Sequence, residues 1–163
     1  MKIFLLFLTF LLLLGGCSNK NAFYAFKMDR TKELSASSLQ SSKIVSKDGE
    51  VRGVLSSIYL NEVYPESFNG YEYFIVFLYL KDAKELYNPN SDVQSDLKLT
   101  LNSKLPIKVE KLPKENQFSH LIDRKNDWTN LYLVAFEQAE SIDLLIEDNQ
   151  SSSAVVLKYK KDQ

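Results

Sequence analysis

Hydrophobic residues along the chain gather into short runs that are separated by turn-forming residues. Residues 71–80, Tyr-Glu-Tyr-Phe-Ile-Val-Phe-Leu-Tyr-Leu, are apolar at successive positions, which is typical of a central strand covered on both faces. Leucines alternate with polar residues over 97–101, and apolar residues alternate with Pro and Lys over 105–109, as in half-buried strands. Pro106 places the second of these strands at a sheet edge or a bulge. Further strands are expected at 131–136, 142–146 and 154–159.

Turn and helix signals complete the pattern. Ser46-Lys47-Asp48-Gly49 lies between Ile44-Val45 and a longer run over 50–63, which predicts a hairpin. Residues 82–85 have capping-box spacing and predict one helical turn. Apolar residues spaced i, i+3, i+4 within 113–126 predict a short helix; they are Phe118, Leu121 and Ile122.

Many short strands with little helix predict an all-β fold. We expect a single β-sandwich, immunoglobulin-like or transthyretin-like, with about seven to eight strands and one or two short helices. The immunoglobulin pattern of two cysteines around a tryptophan is absent, because the chain has one cysteine. The prediction therefore concerns the architecture alone.

The first residues have the proportions of a signal peptide. Lys2 precedes twelve residues from Ile3 to Leu14 that are apolar except at Thr9, too few for the about 20 that span a bilayer. The sequence Leu14-Gly15-Gly16-Cys17 resembles the lipobox of bacterial lipoproteins. That resemblance implies cleavage after Gly16, a diacylglyceryl group on the Cys17 thiol and acylation of the new N-terminus. The alternative is an ordinary secretory signal that ends near a cysteine.

The implied lipid anchor predicts both location and domain organisation. Residue 18 is Ser and not the Asp of many inner-membrane lipoproteins, which favours the outer membrane, facing the periplasm, in a cell with two membranes. We expect a signal peptide over 1–16, the lipidated cysteine and a flexible tether over 17–42, and the sandwich over 43–163. Five serines among residues 35–42 suggest the tether. The aromatic residues of 23–26 either rest in the membrane interface or add a first strand.

Composition excludes several partner classes. Removal of residues 1–16 leaves 147 residues with 19 basic and 21 acidic side chains, a net charge of −2. The lysines are interleaved with acids, apart from a short tail at 158–161 that suits a solvated end, so nucleic acid is not an expected partner. Lipidation of the single cysteine leaves no thiol for a disulfide.

The residues that usually carry chemistry are sparse, so we predict no catalytic site, no cofactor and no metal site. His120 is the only histidine and adjoins Ser119, but adjacent side chains do not face one another as a triad requires. Residues 88–92 begin like a calcium loop, yet Val93 and Leu99 stand where Gly and Glu are required, so an Asx turn is expected. A cluster of carboxylates in one strand connection is expected to be solvated; it comprises Glu137, Glu140 and Asp143.

The expected function is non-enzymatic: a membrane-anchored envelope protein that scaffolds or recruits another envelope protein. Trp128, Tyr71 and Tyr73 are candidate partner contacts, although the same rings suit the core. The alternative is a module that binds a lipid or small ligand between its sheets. Residues 79–83, Tyr-Leu-Lys-Asp-Ala, resemble a piece of the sandwich lipoprotein of type VI secretion, which would imply an outer-membrane anchor in such a machine.

Overall fold

The computed structural model describes residues 29–82, 84–92, 95–121, 129–148 and 155–161. Within them the chain is mostly β and forms a sandwich, as predicted, with eight strands and two α-helices. The elements are α1 (Arg30–Ser38), β1 (Gln40–Val45), β2 (Val51–Tyr59), α2 (Leu60–Val63), β3 (Glu72–Leu80), β4 (Lys98–Leu101), β5 (Lys108–Leu112), a 3-10 helix (Ser119–Leu121), β6 (Asn130–Phe136), β7 (Ile142–Glu147) and β8 (Val155–Tyr159).

The strands form two antiparallel sheets. One sheet has the order β1-β2-β3-β6-β5 and the other has the order β4-β7-β8. β3 is the middle strand of the larger sheet and pairs with β2 and β6, which confirms the predicted central strand. β5 pairs with β6 alone in its sheet, so the strand that follows Pro106 is an edge strand, as predicted.

The main hydrophobic core lies between the sheets. Four rings pack together at one end of it: Phe74 stacks on Tyr59 at 5.1 Å, meets Phe136 edge-on at 5.9 Å and lies tilted against Tyr159 at 5.8 Å, measured between ring centroids. The Tyr159 hydroxyl donates to the Ser57 carbonyl oxygen at 2.6 Å, which ties β8 to β2. Aliphatic side chains from both sheets fill the rest of this core, among them Leu55, Leu78, Leu99, Val134, Leu144 and Ile146.

The β1–β2 hairpin forms at the predicted turn. The Ser46 amide donates to the Glu50 carbonyl at 2.8 Å, and Gly49 has a φ of 88°, a backbone conformation that glycine adopts without a steric penalty. The register then shifts, because Ile44 pairs with Gly53 while Val45 pairs with Val51. Arg52 is the extra residue of this bulge, and a bulge redirects the side chain that it inserts.

A second apolar cluster lies on the outer face of the larger sheet and is partly covered by helices. α1 packs against α2, β2 and the 3-10 helix, and the buried Ser35 hydroxyl donates to the Leu121 carbonyl at 2.9 Å. The buried members of this cluster are Ile58, Leu60, Val63, Ile75, Phe118 and Leu121.

This packing corrects the predicted flexible tether over 17–42 in the part that the structure describes, residues 29–42. Residues 30–38 are helical and β1 begins at Gln40, so the ordered domain starts well before residue 43. The Asp29 side chain caps the helix by accepting the Thr31 amide, and helices favour such a carboxylate at this position. The serine-rich sequence does not form a tether here. The hydroxyls of Ser35 and Ser38 instead donate to backbone carbonyl oxygens of the folded domain.

Four of the predicted elements differ from the structure. The run over 50–63 is a strand only to Tyr59, after which Leu60–Val63 is helical. The strand expected over 105–109 occupies Lys108–Leu112, and the ladder to β6 begins with the Ile107 amide, because Pro106 has no amide to donate. The helix expected within 113–126 is a 3-10 helix in its described part, and residues 84–88 contain no helix.

Candidate functional site

The two ends of the sandwich differ in character. We term the end at Glu72, where β3 begins, the aromatic end, and the end at Leu80, where β3 finishes, the far end. The antiparallel registers place the α2–β3 loop, the β4–β5 turn and the β6–β7 connection at the aromatic end, because Glu72 pairs with Phe136 and the Asn102 amide bonds to the Asp143 carbonyl. The β1–β2 hairpin lies at the far end.

Five aromatic rings run along the outer face at the aromatic end. Phe68 lies 6.1 Å from Tyr64, 5.0 Å from Tyr73 and 6.1 Å from Phe118, and Tyr71 lies 6.1 Å from Tyr73, all between centroids. Tyr71 is 46% exposed, while Tyr73 is partly buried. The structure thus brings together two of the three candidate partner contacts. The Tyr71 ring is exposed, and the partly buried Tyr73 ring packs against it.

Asn61 of α2 fixes the backbone that presents Tyr71. Its Nδ2 donates to the Tyr71 carbonyl at 2.6 Å, and its Oδ1 accepts the Tyr73 amide at 2.9 Å. The short helix between β2 and β3 therefore holds the Tyr71 ring at a defined place.

Other large apolar residues are exposed at the same end. Leu39 precedes β1, and Leu105 and Ile107 lie in the β4–β5 connection; all three are exposed. At the far end the exposed large apolar residues are Val51 and Tyr79. Amphipathic rings with aliphatic neighbours suit a contact with a partner or an interface.

A buried carboxylate lies directly beneath this surface. The Glu72 residue is 1% exposed, and its carboxylate accepts hydrogen bonds from Tyr59 Oη (2.5 Å), Asn61 Nδ2 (3.3 Å), the Ala139 amide (3.0 Å) and Lys161 Nζ (2.7 Å). Burial alone raises the pKa of Glu72, but the hydrogen bonds outweigh it and hold that pKa below its ordinary value. Burial also raises the pKa of Tyr59, so its hydroxyl stays protonated and donates.

A second buried ionic cluster lies at the far end. The Asp148 side chain is 1% exposed and lies 3.1 Å from Arg52 Nη1 and 3.3 Å from Lys84 Nζ. Arg52 also pairs with Asp82, and Lys84 pairs with Asp96 at 3.0 Å. The Asp82 bond raises the pKa of Arg52; burial lowers the pKa of Lys84, but its bonds to the two carboxylates outweigh burial.

Each ionic cluster bridges the two sheets. Glu72 belongs to the larger sheet, and Lys161 follows β8 of the smaller one. Arg52 belongs to the larger sheet, and Asp148 follows β7 of the smaller one. We term them the Glu72 clamp and the Asp148 clamp. The sequence predictions missed both, although a glutamate inside the otherwise apolar run of 71–80 was a usable signal.

His120 and Ser119 are engaged separately. His120 Nε2 lies 2.8 Å from the Tyr64 hydroxyl, which joins the 3-10 helix to the segment after α2. The Ser119 hydroxyl accepts the Asn116 amide at 2.9 Å and donates to the Lys114 carbonyl at 3.2 Å. In the structure the two adjacent side chains therefore have different partners.

Two of the three remaining acidic candidates, Glu137 and Glu140, line a cavity at the aromatic end. Its volume is about 350 Å³, and the exposed Glu137 pairs with Lys104 at 3.3 Å beside it. Glu140 lies in its wall, while Asp143 lies 3.9 Å from Lys158. Charged side chains form much of this wall, unlike the apolar lining that is typical of ligand pockets.

The segment over 88–92 contains an Asx turn, as predicted, because the Asn90 amide donates to Asn88 Oδ1 at 2.9 Å. In the part of the chain that the structure describes, no group of three or more His, Cys, Asp or Glu side chains is placed to hold a metal ion. The same residues include no helix that is long and apolar enough to cross a membrane.

Three predicted site residues, Gly16, Cys17 and Trp128, lie outside the described residues, as do residues 23–26. Of the segment over 79–83, Tyr79 is exposed, Lys81 donates its amide to the Arg52 carbonyl at 2.9 Å and Asp82 belongs to the Asp148 clamp. The chain matches no protein-family model, no curated protein and no solved structure.

Proposed function

We propose that this chain is a lipid-anchored protein of the bacterial cell envelope that holds another envelope protein at the membrane and has no catalytic activity of its own. The observation that carries the proposal is Leu14-Gly15-Gly16-Cys17 at the end of an apolar leader. In a cell with two membranes, Ser18 favours the outer one, with the domain facing the periplasm.

The physics of the anchor supports a permanent attachment. Each buried methylene group contributes about 0.8 kcal/mol, and two acyl chains already hold a protein stably on a bilayer. Three chains on Cys17 would make release negligible, so the domain would act where it is anchored.

The arrangement of charged groups supports a binding role over a catalytic one. Among the ion-paired carboxylates of the described residues, Glu72 and Asp148 have the most buried side chains, and both are engaged in ion pairs that join the sheets. The surface offers exposed apolar residues instead, which are the usual material of protein contacts.

Lipidation is tested by the mass of the N-terminal peptide from protein isolated with its membranes. We expect cleavage after Gly16, with a diacylglyceryl thioether on Cys17 and an acyl chain on its amine. A Cys17→Ser variant should leave the membrane fraction. A free Cys17 thiol in the native protein would contradict the proposal.

Recruitment is tested by cross-linking in intact cells followed by isolation of the protein. We expect one reproducible protein adduct whose yield falls in the Cys17→Ser variant, because the partner is met at the membrane. Adducts with lipid alone would contradict recruitment without affecting the lipidation result.

A further inference from the structure

We infer that the aromatic end of the sandwich lies against the bilayer that anchors Cys17, with the Tyr71 ring at the level of the lipid headgroups. This inference rests on the proposed lipidation of Cys17. It assigns Tyr71 to the membrane and leaves the sides and the far end of the sandwich for a protein partner.

The first observation is the place where the anchored segment reaches the fold. α1 packs on α2 and on the 3-10 helix, and the Asp29 carboxylate is close enough to Tyr64 for its charge to contribute to the raised pKa of that hydroxyl, after burial as the main cause. Tyr64 is one of the five aromatic rings at the aromatic end. The described chain therefore begins beside the aromatic end.

The second observation is the length of the connection. Residues 18–28, eleven in number, separate Cys17 from Asp29, and a chain of that length reaches at most about 40 Å when it is fully extended. β3 has nine residues and is about 30 Å long. Only a connection close to its full extension could therefore run the length of the sandwich and bring the far end to the membrane.

The third observation is the chemistry of that end. Tyr71, Leu105 and Ile107 are exposed there, and tyrosine is enriched where proteins meet the membrane–water interface. Basic side chains around them are paired with carboxylates, as in Lys104–Glu137 and Lys161–Glu72, and the same end also carries the exposed Glu66 and Glu140. Aromatic and aliphatic contact, and not attraction to anionic lipid, would therefore hold this end on the bilayer.

The test uses the full-length lipidated protein with one added cysteine, reconstituted into phosphatidylcholine vesicles and treated with a water-soluble maleimide. Tyr71→Cys and Leu105→Cys probe the aromatic end. The matched controls are Tyr79→Cys and Val51→Cys, which replace exposed residues of similar kind at the far end. The maleimide reaction rate of each variant in vesicles is compared with its rate in detergent. For the detergent measurement the vesicles are disrupted and the excess lipid is removed.

We expect the rate at positions 71 and 105 to fall about tenfold in vesicles, which corresponds to about 1.4 kcal/mol of protection, with little change at positions 79 and 51. Equal rates at both ends in vesicles would overturn the inference. Protection of position 71 in cells but not in vesicles would also overturn it, because a protein would then cover this surface. Leu105→Cys keeps the test valid if Tyr71→Cys does not fold.

The parent chain separates the two proposals. With Cys17 lipidated it has no free thiol and does not react with maleimide. Reaction of the parent would show a free Cys17 and contradict the proposed function. An unreactive parent with unprotected aromatic-end cysteines would contradict only the orientation.

Discussion

Lys161 Nζ lies 2.7 Å from Glu72 Oε1, so a lysine two positions after the end of β8 is paired with the first residue of the central strand. The partner carboxylate is buried, whereas the lysine side chain is 39% exposed. Glu72 belongs to the larger sheet, and Lys161 follows a strand of the smaller one. The ion pair therefore joins the two sheets and contributes directly to the stability of the sandwich.

Removal of the Glu72 carboxylate should destabilise the fold strongly. In Glu72→Ala the buried Tyr59 hydroxyl and the Ala139 amide lose their acceptor, while Lys161 can turn toward water. We expect the free energy of unfolding to fall by about 2–4 kcal/mol, measured by urea denaturation. Glu137→Ala, which breaks the exposed pair with Lys104, should change it by less than about 0.5 kcal/mol. Equal losses in both variants would contradict the Glu72 clamp.

The same carboxylate should make stability depend on acid pH. Its pKa is below the ordinary value of 4.5 in the folded state, so the unfolded chain binds the proton more readily and stability decreases as pH falls. The contribution is complete above about pH 4.5 and is lost as pH falls through the lower folded pKa. Glu72→Gln should therefore show a shallower decline of the free energy of unfolding below that pH. Parallel profiles for the two proteins would disprove this coupling.

The two clamps should act independently. Asp148→Ala leaves the buried Arg52 with Asp82 as its partner, and we expect a loss of about 3 kcal/mol. The clamps are separated by most of the length of β3, about 26 Å, so the losses in the Glu72→Ala, Asp148→Ala double variant should add to within about 0.5 kcal/mol. Asp143→Ala, at an exposed pair 3.9 Å from Lys158, serves as the control. A clear departure from additivity would indicate coupling through the core.

Gly53 should not tolerate a side chain. A Cβ at this position would collide with the Tyr79 carbonyl oxygen and lie 2.7 Å from Leu80 Cδ2. We expect Gly53→Ala to lower the free energy of unfolding by about 1–3 kcal/mol. A Cβ at Gly70 would meet nothing within 4 Å, so Gly70→Ala is the matched control. Thermal unfolding of both variants measures the difference.

Local sequence patterns predicted the sheet-forming regions well. The apolar run that contains Phe74 and Val76 could lie only in a covered strand, and Asp48-Gly49 marked the β1–β2 hairpin because glycine permits a positive φ. These predictions depend on neighbouring residues alone.

The parts that could not be predicted depend on distant residues. The serines of α1 looked like tether residues, but Ser35 bonds to Leu121, 86 positions away. Glu72 and Lys161 are 89 positions apart, and no pattern in a single sequence pairs them. Tyr71 and Tyr73 were both predicted as partner contacts or core rings, and their difference in exposure could not be predicted because it follows from the position of Phe68 against Tyr73.

The bond from Tyr159 to Ser57 crosses 102 positions of sequence, and it has a consequence for the order of events during biogenesis. β8 follows every other strand, yet it covers the Tyr59 and Phe74 rings that β2 and β3 supply. Contacts between residues so far apart form slowly, and this one requires the last strand of the described residues. The Tyr59 and Phe74 rings therefore lack part of their cover until residue 159 has been synthesised, and the core between the sheets is completed late in biogenesis.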